Sequence, residues 1–440
     1  MVFKSPQVEG ISRSNRGSVA FLAGLLLTAG IAVNQDTWGQ VMRDSSLAQL
    51  PQTQGLVPQA ARGMTAQDWQ SAATAWSYFE SHFRAETGFV DAIHDHPSAT
   101  LWDQGSYLLA LIAAQGLGLI DAEAFDQRST AFLGGLERLP LFDGQLPNKA
   151  YDTRSLAMVD YANTPVPEGI GWSALDIARL LMALRALEMR APSYGPQIRT
   201  LLGGWDLAAM TAEGRLWGSS RHQGQTQYHQ EGRIGYEQYG ARAAALWGLD
   251  VLDASTARPI LAWQEVSGVQ VAADRRRAKD FGAITPVVSE PYLLQAFETG
   301  LNAEGRLLAS RVYQAQEARA RHTGQATMVS EDHIDQAPHF LYGSVFGNGV
   351  DWAVVAEDGS AHPELRTVSL KAAFGWDALY GTDYTQTVLA EMAPLAGEQG
   401  WYAGRYEEDG RINLALTLNT NAVVLEALHY KLKGPLLRVN

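Results

Sequence analysis

The sequence predicts an all-α protein, an (α/α)6 toroid of six helical hairpins with small β-hairpins in the long loops at one end. Three observations carry that expectation. From Thr65 onward two kinds of helical segment alternate, one amphipathic and one apolar nearly all round. There are six of each. The links between them are short in one direction and long in the other.

The apolar segments are 100–118, 170–190, 235–249, 289–300, 367–380 and 419–432. In "TLWDQGSYLLALIAAQGLGLI" (100–120), nothing polar follows Ser106 until Gln115. A helix without a polar face must be covered on every side, so these six form an inner ring. The amphipathic segments are 65–84, 121–139, 193–212, 253–265, 304–321 and 383–396. In 121–139, Phe125, Phe132, Leu136 and Leu139 recur at helical spacing while Glu123, Asp126, Arg128 and Glu137 lie elsewhere. These form the outer ring. Inner-to-outer links such as "RAPS" (190–193) and "YGTD" (380–383) are tight. The return links run from about 15 to about 45 residues, far above the usual median of roughly 4–6. All long links therefore gather at one end, where a rigid scaffold usually carries its site. Strand-like pieces at 268–273, 339–346, 350–357 and 400–418 belong to that rim.

The chain has 440 residues, no cysteine and a formal net charge of −13. Missing cysteine excludes disulfides, thiolate metal sites and a cysteine nucleophile. The acidic balance argues against nucleic acid as a partner. Lys4, Arg13 and Arg16 precede the uncharged run Ser18–Val33, so 1–33 reads as a signal peptide or an uncleaved signal anchor. Either places the body outside the cytoplasm, periplasmic or secreted, with membrane contact only through that segment if it is retained. Residues 34–63, rich in Gln, Pro and Ser, read as a flexible linker, and 64–440 as the toroid.

Acids and aromatics cluster where the inner helices begin: "LWDQGSY" (101–107), "GIGWSALD" (169–176), "GYEQY" (235–239), "SEPYLL" (289–294) and "KAAFGW" (371–376). The preceding loops add "PNKAYDTR" (147–154), "VSEDHID" (329–335) and "GWYAGRY" (400–406). Sugar rings stack their C–H faces on aromatics, and glycoside hydrolysis needs two carboxyl groups in different protonation states. Glu237, between Tyr236 and Tyr239, is the candidate acid, since desolvation raises a carboxyl pKa. Asp103, Asp152 and Glu331 are candidates for the base or water holder. Trp102, Lys149, Tyr151, Arg154, Trp172, Tyr236, Tyr239, Glu290, Tyr292, Asp332, His333 and Trp376 are candidates for contacting the sugar. Each has a structural alternative: a helix-end carboxylate for Asp103, a turn residue for Asp152, core packing for the aromatics. His94, Asp95 and His96 lack helical ligand spacing, so neither a metal nor a cofactor is expected.

Taken in order, "TLWDQGSYLLALIAAQGLGLI", "LPNKAYDTR", "GIGWSALDIARLL", "GYEQYGARAAALWG", "SEPYLL", "SEDHIDQAPHFLY" and "LKAAFGWDALY" resemble the bacterial family called domain of unknown function 3131, over roughly Thr65 to Leu432. That family is similar to (α/α)6 β-1,2-glucanases and to the glucoamylase-like domain of cyclic β-1,2-glucan synthases. The resemblance implies glycoside hydrolase ancestry and a cell-envelope or exopolysaccharide setting, beside a polysaccharide synthesis or export system. It assigns no catalytic residue. Two functional readings stand: a glycoside hydrolase or transglycosidase acting on a β-glucan or exopolysaccharide, and a glycan-binding component without turnover.

Overall fold

The computed structural model describes residues 56–437. The signal segment 1–33 and the first part of the linker lie outside them. Residues 56–63 are docked rather than loose, which corrects the linker's far end. Gln59 N–H donates to the Leu379 carbonyl at 2.8 Å, and Arg62 N–H to that of Lys431 at 2.7 Å.

Eleven helices of nine or more residues order the described chain: α1 (Ala66–Ser81), α2 (Leu101–Leu117), α3 (Ala122–Glu137), α4 (Ala174–Arg190), α5 (Gly195–Gly203), α6 (Tyr236–Ala245), α7 (Glu290–Thr299), α8 (Ala303–Thr323), α9 (Leu370–Tyr380), α10 (Asp383–Glu391) and α11 (Leu418–Lys433). All six segments read as enclosed are helices: α2, α4, α6, α7, α9 and α11. They pack in sequence, α2 on α4, α4 on α6, α6 on α7, α7 on α9, α9 on α11, and α11 back on α2. Every residue of α7 and α9 is buried. That enclosure is why the hydrophobic pattern lacked a polar face. At Gly105 of α2 the backbones approach closely, and a Cβ would stand 2.9 Å from the Leu180 backbone nitrogen of α4. No helix among the described residues is long and apolar enough to cross a membrane.

The amphipathic helices α1, α3, α5, α8 and α10 cover this set from outside, with one exception. The helix expected at 253–265 is a single 3-10 turn (Asp253–Ser255) followed by a hairpin, Leu261–Val266 paired with Val269–Asp274. Its turn residues Ser267 and Gly268 both have positive φ, 51° and 78°, the geometry that two-residue hairpin turns require. The inner face of the hairpin packs on α8. The strand content also exceeds the few hairpins expected. Nineteen short strands make seven small sheets, so the described chain is mainly helical with substantial strand rather than all-α. Nearly all strands lie in the long links before the inner helices.

One buried network ties the inner helices together. Arg179 of α4, wholly buried, donates to Ser106 Oγ of α2 at 2.7 Å, the Tyr239 hydroxyl of α6 at 2.7 Å, Glu298 of α7 at 2.6 Å and Glu426 of α11 at 2.9 Å. Burial drives the Glu426 carboxyl well above the ordinary range, and its neighbour Glu298 adds to that despite Arg179. Burial thus favours the protonated form of these carboxyls, and the Arg179 guanidinium opposes it. Removing one partner of a buried ion pair costs about 3–5 kcal/mol. Arg179→Met is expected to lose that much in urea unfolding, and adding Glu298→Gln with Glu426→Gln should restore most of it.

Candidate active site

Directly above Arg179 lies the Trp102 ring, its centroid 4.9 Å from the guanidinium carbon. Tyr236 meets that ring edge-on at 5.4 Å. This aromatic layer is the floor of the site, and carboxylates rise from it on the first turns of the inner helices and the loops before them.

The α4 terminus is the richest. Ser173 is its N-cap, accepting from Asp176 N–H, and Asp176 follows one turn in. Glu231 arrives from a hairpin, Arg215–His222 paired with Gln225–Gln230, and reaches the same helix end. Its Oε2 accepts from Ser173 Oγ at 3.0 Å and Leu175 N–H at 3.1 Å, and His229 Nε2 stands 3.5 Å from its Oε1. Burial pushes Glu231 up, but His229, Lys149 and the Leu175 N–H outweigh it and hold the carboxyl below its ordinary value. Asp176 goes the other way. Burial first, then the charges of Glu231 and Asp103, push it up to about 8. Both groups are largely covered but keep some exposure. Two carboxyls around one serine are therefore held in opposite protonation states at neutral pH, a division typical of acid/base pairs.

Room for Glu231 is made by Gly218. A Cβ there would lie 1.8 Å from Glu231 Oε1. Across the site, Lys371 of α9 contacts Glu290 of α7, lies 3.5 Å from Asp332, and donates to Asn419 of α11 at 3.0 Å. Burial raises Glu331 to about 7 against the pull of Lys371, and Asp332 to about 6. Arg233 stacks over the Tyr342 ring at 4.7 Å and acts electrostatically on Glu331.

Of the residues expected from sequence, the structure brings Trp102, Asp103, Lys149, Tyr236, Glu290, Glu331 and Asp332 to this region. Asp103 also closes the capping box of α2, accepting from Thr100 N–H at 2.9 Å and Thr100 Oγ1 at 2.8 Å. Lys149 donates to Ser220 Oγ at 2.9 Å. His333 lies beneath Lys371 and is held neutral, its pKa pushed down to about 3 by burial and that charge.

The others have different surroundings. Glu237 is buried, its Oε2 2.8 Å from Arg276, which also holds Asp274, and its Oε1 accepts from Gln230 Nε2 at 3.0 Å. Burial raises its pKa, the direction expected of an acid, against the pull of Arg276. Asp152 is a turn carboxylate accepting from Arg154, Ser155 and Asn163, which together overcome burial and lower it to about 2. Arg154 is thereby engaged in the same turn. Tyr151, Trp172, Tyr239, Tyr292 and Trp376 are core residues, all at most 1% exposed. Trp172 donates to the Trp217 carbonyl and Trp376 to Ser289. Tyr151 donates to the Pro140 carbonyl.

Asp176, Glu231, Arg233 and Lys371 were missed. For Asp176 a signal existed: it and Arg179 are the only charges of α4 before Arg185. Glu231 had none, because strand register alone brings it to α4.

An enclosed set of helices carries paired carboxyls at one end, and solved structures share that fold. The chain belongs to the DUF3131 family of proteins of unknown function, whose model matches residues 70–434. The structure is similar to an endo-β-1,2-glucanase from Chitinophaga pinensis in complex with sophorotriose and glucose (TM-score 0.61, 12% identity, 85% of this chain and 94% of that one). It is also similar to an endo-β-1,2-glucanase from Talaromyces funiculosus in complex with sophorose (0.53, 12%, 82% and 84%). Cellobiose 2-epimerase from Bacillus thermoamylovorans is a third relative in fold (0.50, 11%, 83% and 99%). No curated protein sequence matches the chain.

Gly218→Ala is expected to push Glu231 off the α4 terminus. Losing that cap should cost about 1–2 kcal/mol, read as a lower midpoint in thermal unfolding with unchanged helical circular dichroism.

Proposed function

We propose that this protein is a glycoside hydrolase acting on a bacterial β-glucan or related exopolysaccharide, built on an (α/α)6 toroid whose open end is the active site. The observation that carries this reading is the opposed protonation of Asp176 and Glu231 around Ser173. Asp176 keeps a proton at neutral pH and serves as general acid to the leaving glycosidic oxygen. Glu231, ionised, accepts a proton from the attacking water or stabilises the positive charge on the sugar carbon. Trp102 and Tyr236 form an apolar floor suited to the C–H face of a sugar ring. Glu331, Asp332, Glu290, Asn419 and Lys371 supply acceptors and donors for hydroxyls on the opposite wall. The resemblance of the fold to two endo-β-1,2-glucanases supports β-1,2-linked glucose as the first substrate to try. The basic and apolar N-terminal run supports work outside the cytoplasm, at the cell envelope beside a polysaccharide synthesis or export system.

The test is incubation with β-1,2-, β-1,3- and β-1,4-glucans, scored by new reducing ends. New ends with at least one polymer are expected; none with any of them, from folded protein, rejects the reading. Asp176→Asn and Glu231→Gln should each lower kcat by at least about 10²-fold, the scale of a lost acid or base. Unchanged turnover in either removes that residue from the mechanism.

The pH profile follows from the directions of the two shifts. The acid works only while protonated, so activity should fall as pH rises through about 8. The base works only while ionised, so activity should fall on the acid side below the ordinary glutamate range, where Glu231 titrates. An alkaline limb that persists unmoved in active Asp176→Glu would assign that limb to another group.

A further inference from the structure

The hairpin that delivers Glu231 has two unlike faces. On one, Ser219 contacts Trp172, Arg221 and Thr226 hold Asp143, and Tyr228 packs on the Trp172 ring at 5.7 Å. That face is tied to the body, although Tyr228 itself stays 58% exposed. The pairing register puts three cross-strand pairs on the other: Gly218 with His229, Ser220 with Gln227, and His222 with Gln225. None of the six carries a fixed charge, although His222, Gln225 and Gln227 are exposed. Exposed edge strands are usually guarded by charged side chains, and this chain carries 81 of them, 34 basic and 47 acidic. Gln225–Gln230 is the edge strand of its sheet.

The open face leads into the candidate site. Glu231 follows His229 on the same side, 3.5 Å from it, and fills the space above Gly218. Lys149, which influences both Glu231 and Asp176, is held by Ser220 in the middle of the face. Side chains two apart along a strand are roughly 7 Å apart, so Gln225, Gln227 and His229 mark out a track of about 20 Å ending at Glu231. Amide side chains offer a donor and an acceptor together, which suits vicinal hydroxyls. A fixed charge facing a neutral polymer would have to be desolvated without a counter-charge.

We propose that this face is an extended subsite for a neutral glycan chain, with Gln225 and Gln227 binding sugar units remote from the cleaved bond and thereby setting a preference for long substrates. It rests on the reading of Asp176 and Glu231 as the reacting end, and gives that end a direction along the protein. The cation that touches the face, Lys149, is opposed by the Glu231 carboxylate, so it offers an anionic polysaccharide little net attraction.

The experiment is calorimetric titration of Gln225→Ala/Gln227→Ala with the trisaccharide and the octasaccharide of β-1,2-, β-1,3- and β-1,4-linked glucose. Both positions are exposed, so folding should survive. For the series that wild type binds, octasaccharide Kd should rise roughly tenfold, the scale of one lost polar cluster, while trisaccharide Kd and polymer kcat stay put. Unchanged octasaccharide affinity overturns this inference alone and leaves the catalytic reading standing. An equal loss for both lengths also overturns it, since the effect is then not remote. No binding of wild type to any series sinks both. If sedimentation shows wild type self-associating and the variant not, the face belongs to a second copy of the chain and the inference fails.

Discussion

Everything at the open end depends on Arg179. Its guanidinium reaches Ser106, Tyr239, Glu298 and Glu426, side chains from four helices besides its own α4. Small apolar contacts along helix pairs tolerate sliding; a planar fork with several bonds does not. The network is wholly buried among the inner helices, and its groups must be paired to be buried at all. Trp102 rests on this plate, and the first turns of the helices above it inherit its register.

The site then follows from helix ends. Each inner helix presents free N–H groups toward the open end, a place that stabilises anions. Five of the carboxylates there are used differently because their local partners differ. Asp103 is spent on the α2 cap, Glu290 on Lys371, and Glu231 on the α4 cap. Asp176, inside the helix rather than at its tip, is buried beside like charges that outweigh the shared serine and Lys149, so it holds its proton. Glu331 lies between these extremes.

Much of the helical layer was legible. Enclosure writes itself into sequence as a missing polar face, and all six such segments are helices. The outer segment 253–265 was misread because "ILAWQEV" (260–266) spaces its apolar residues in a way that also fits a helix; Pro259 before it and Ser267-Gly268 after it were the contrary signs. The site was legible in region but not in residue. Glu237 drew attention through its tyrosine neighbours, and nothing nearby announces that Arg276, just after a distant hairpin, pairs with it. Conversely, Glu231 sits in the unremarkable "HQEGRIG" (229–235), and its importance depends on strand register and on the space above Gly218. Local pattern reports burial well and partnership poorly.

The two carboxyls around Ser173 also differ in what holds them. Asp176 is carried by an inner helix locked to Arg179 one turn further on, so its position is that of the core. Glu231 is carried by a hairpin whose inward face is tied to Trp172 and Asp143 and whose outward face is open. A proton donor must keep one geometry toward the leaving oxygen, whereas its partner has to admit water or let a chain pass. Under the proposed roles, the acid sits on the helix that Arg179 holds, and its partner on the hairpin that borders the proposed glycan track.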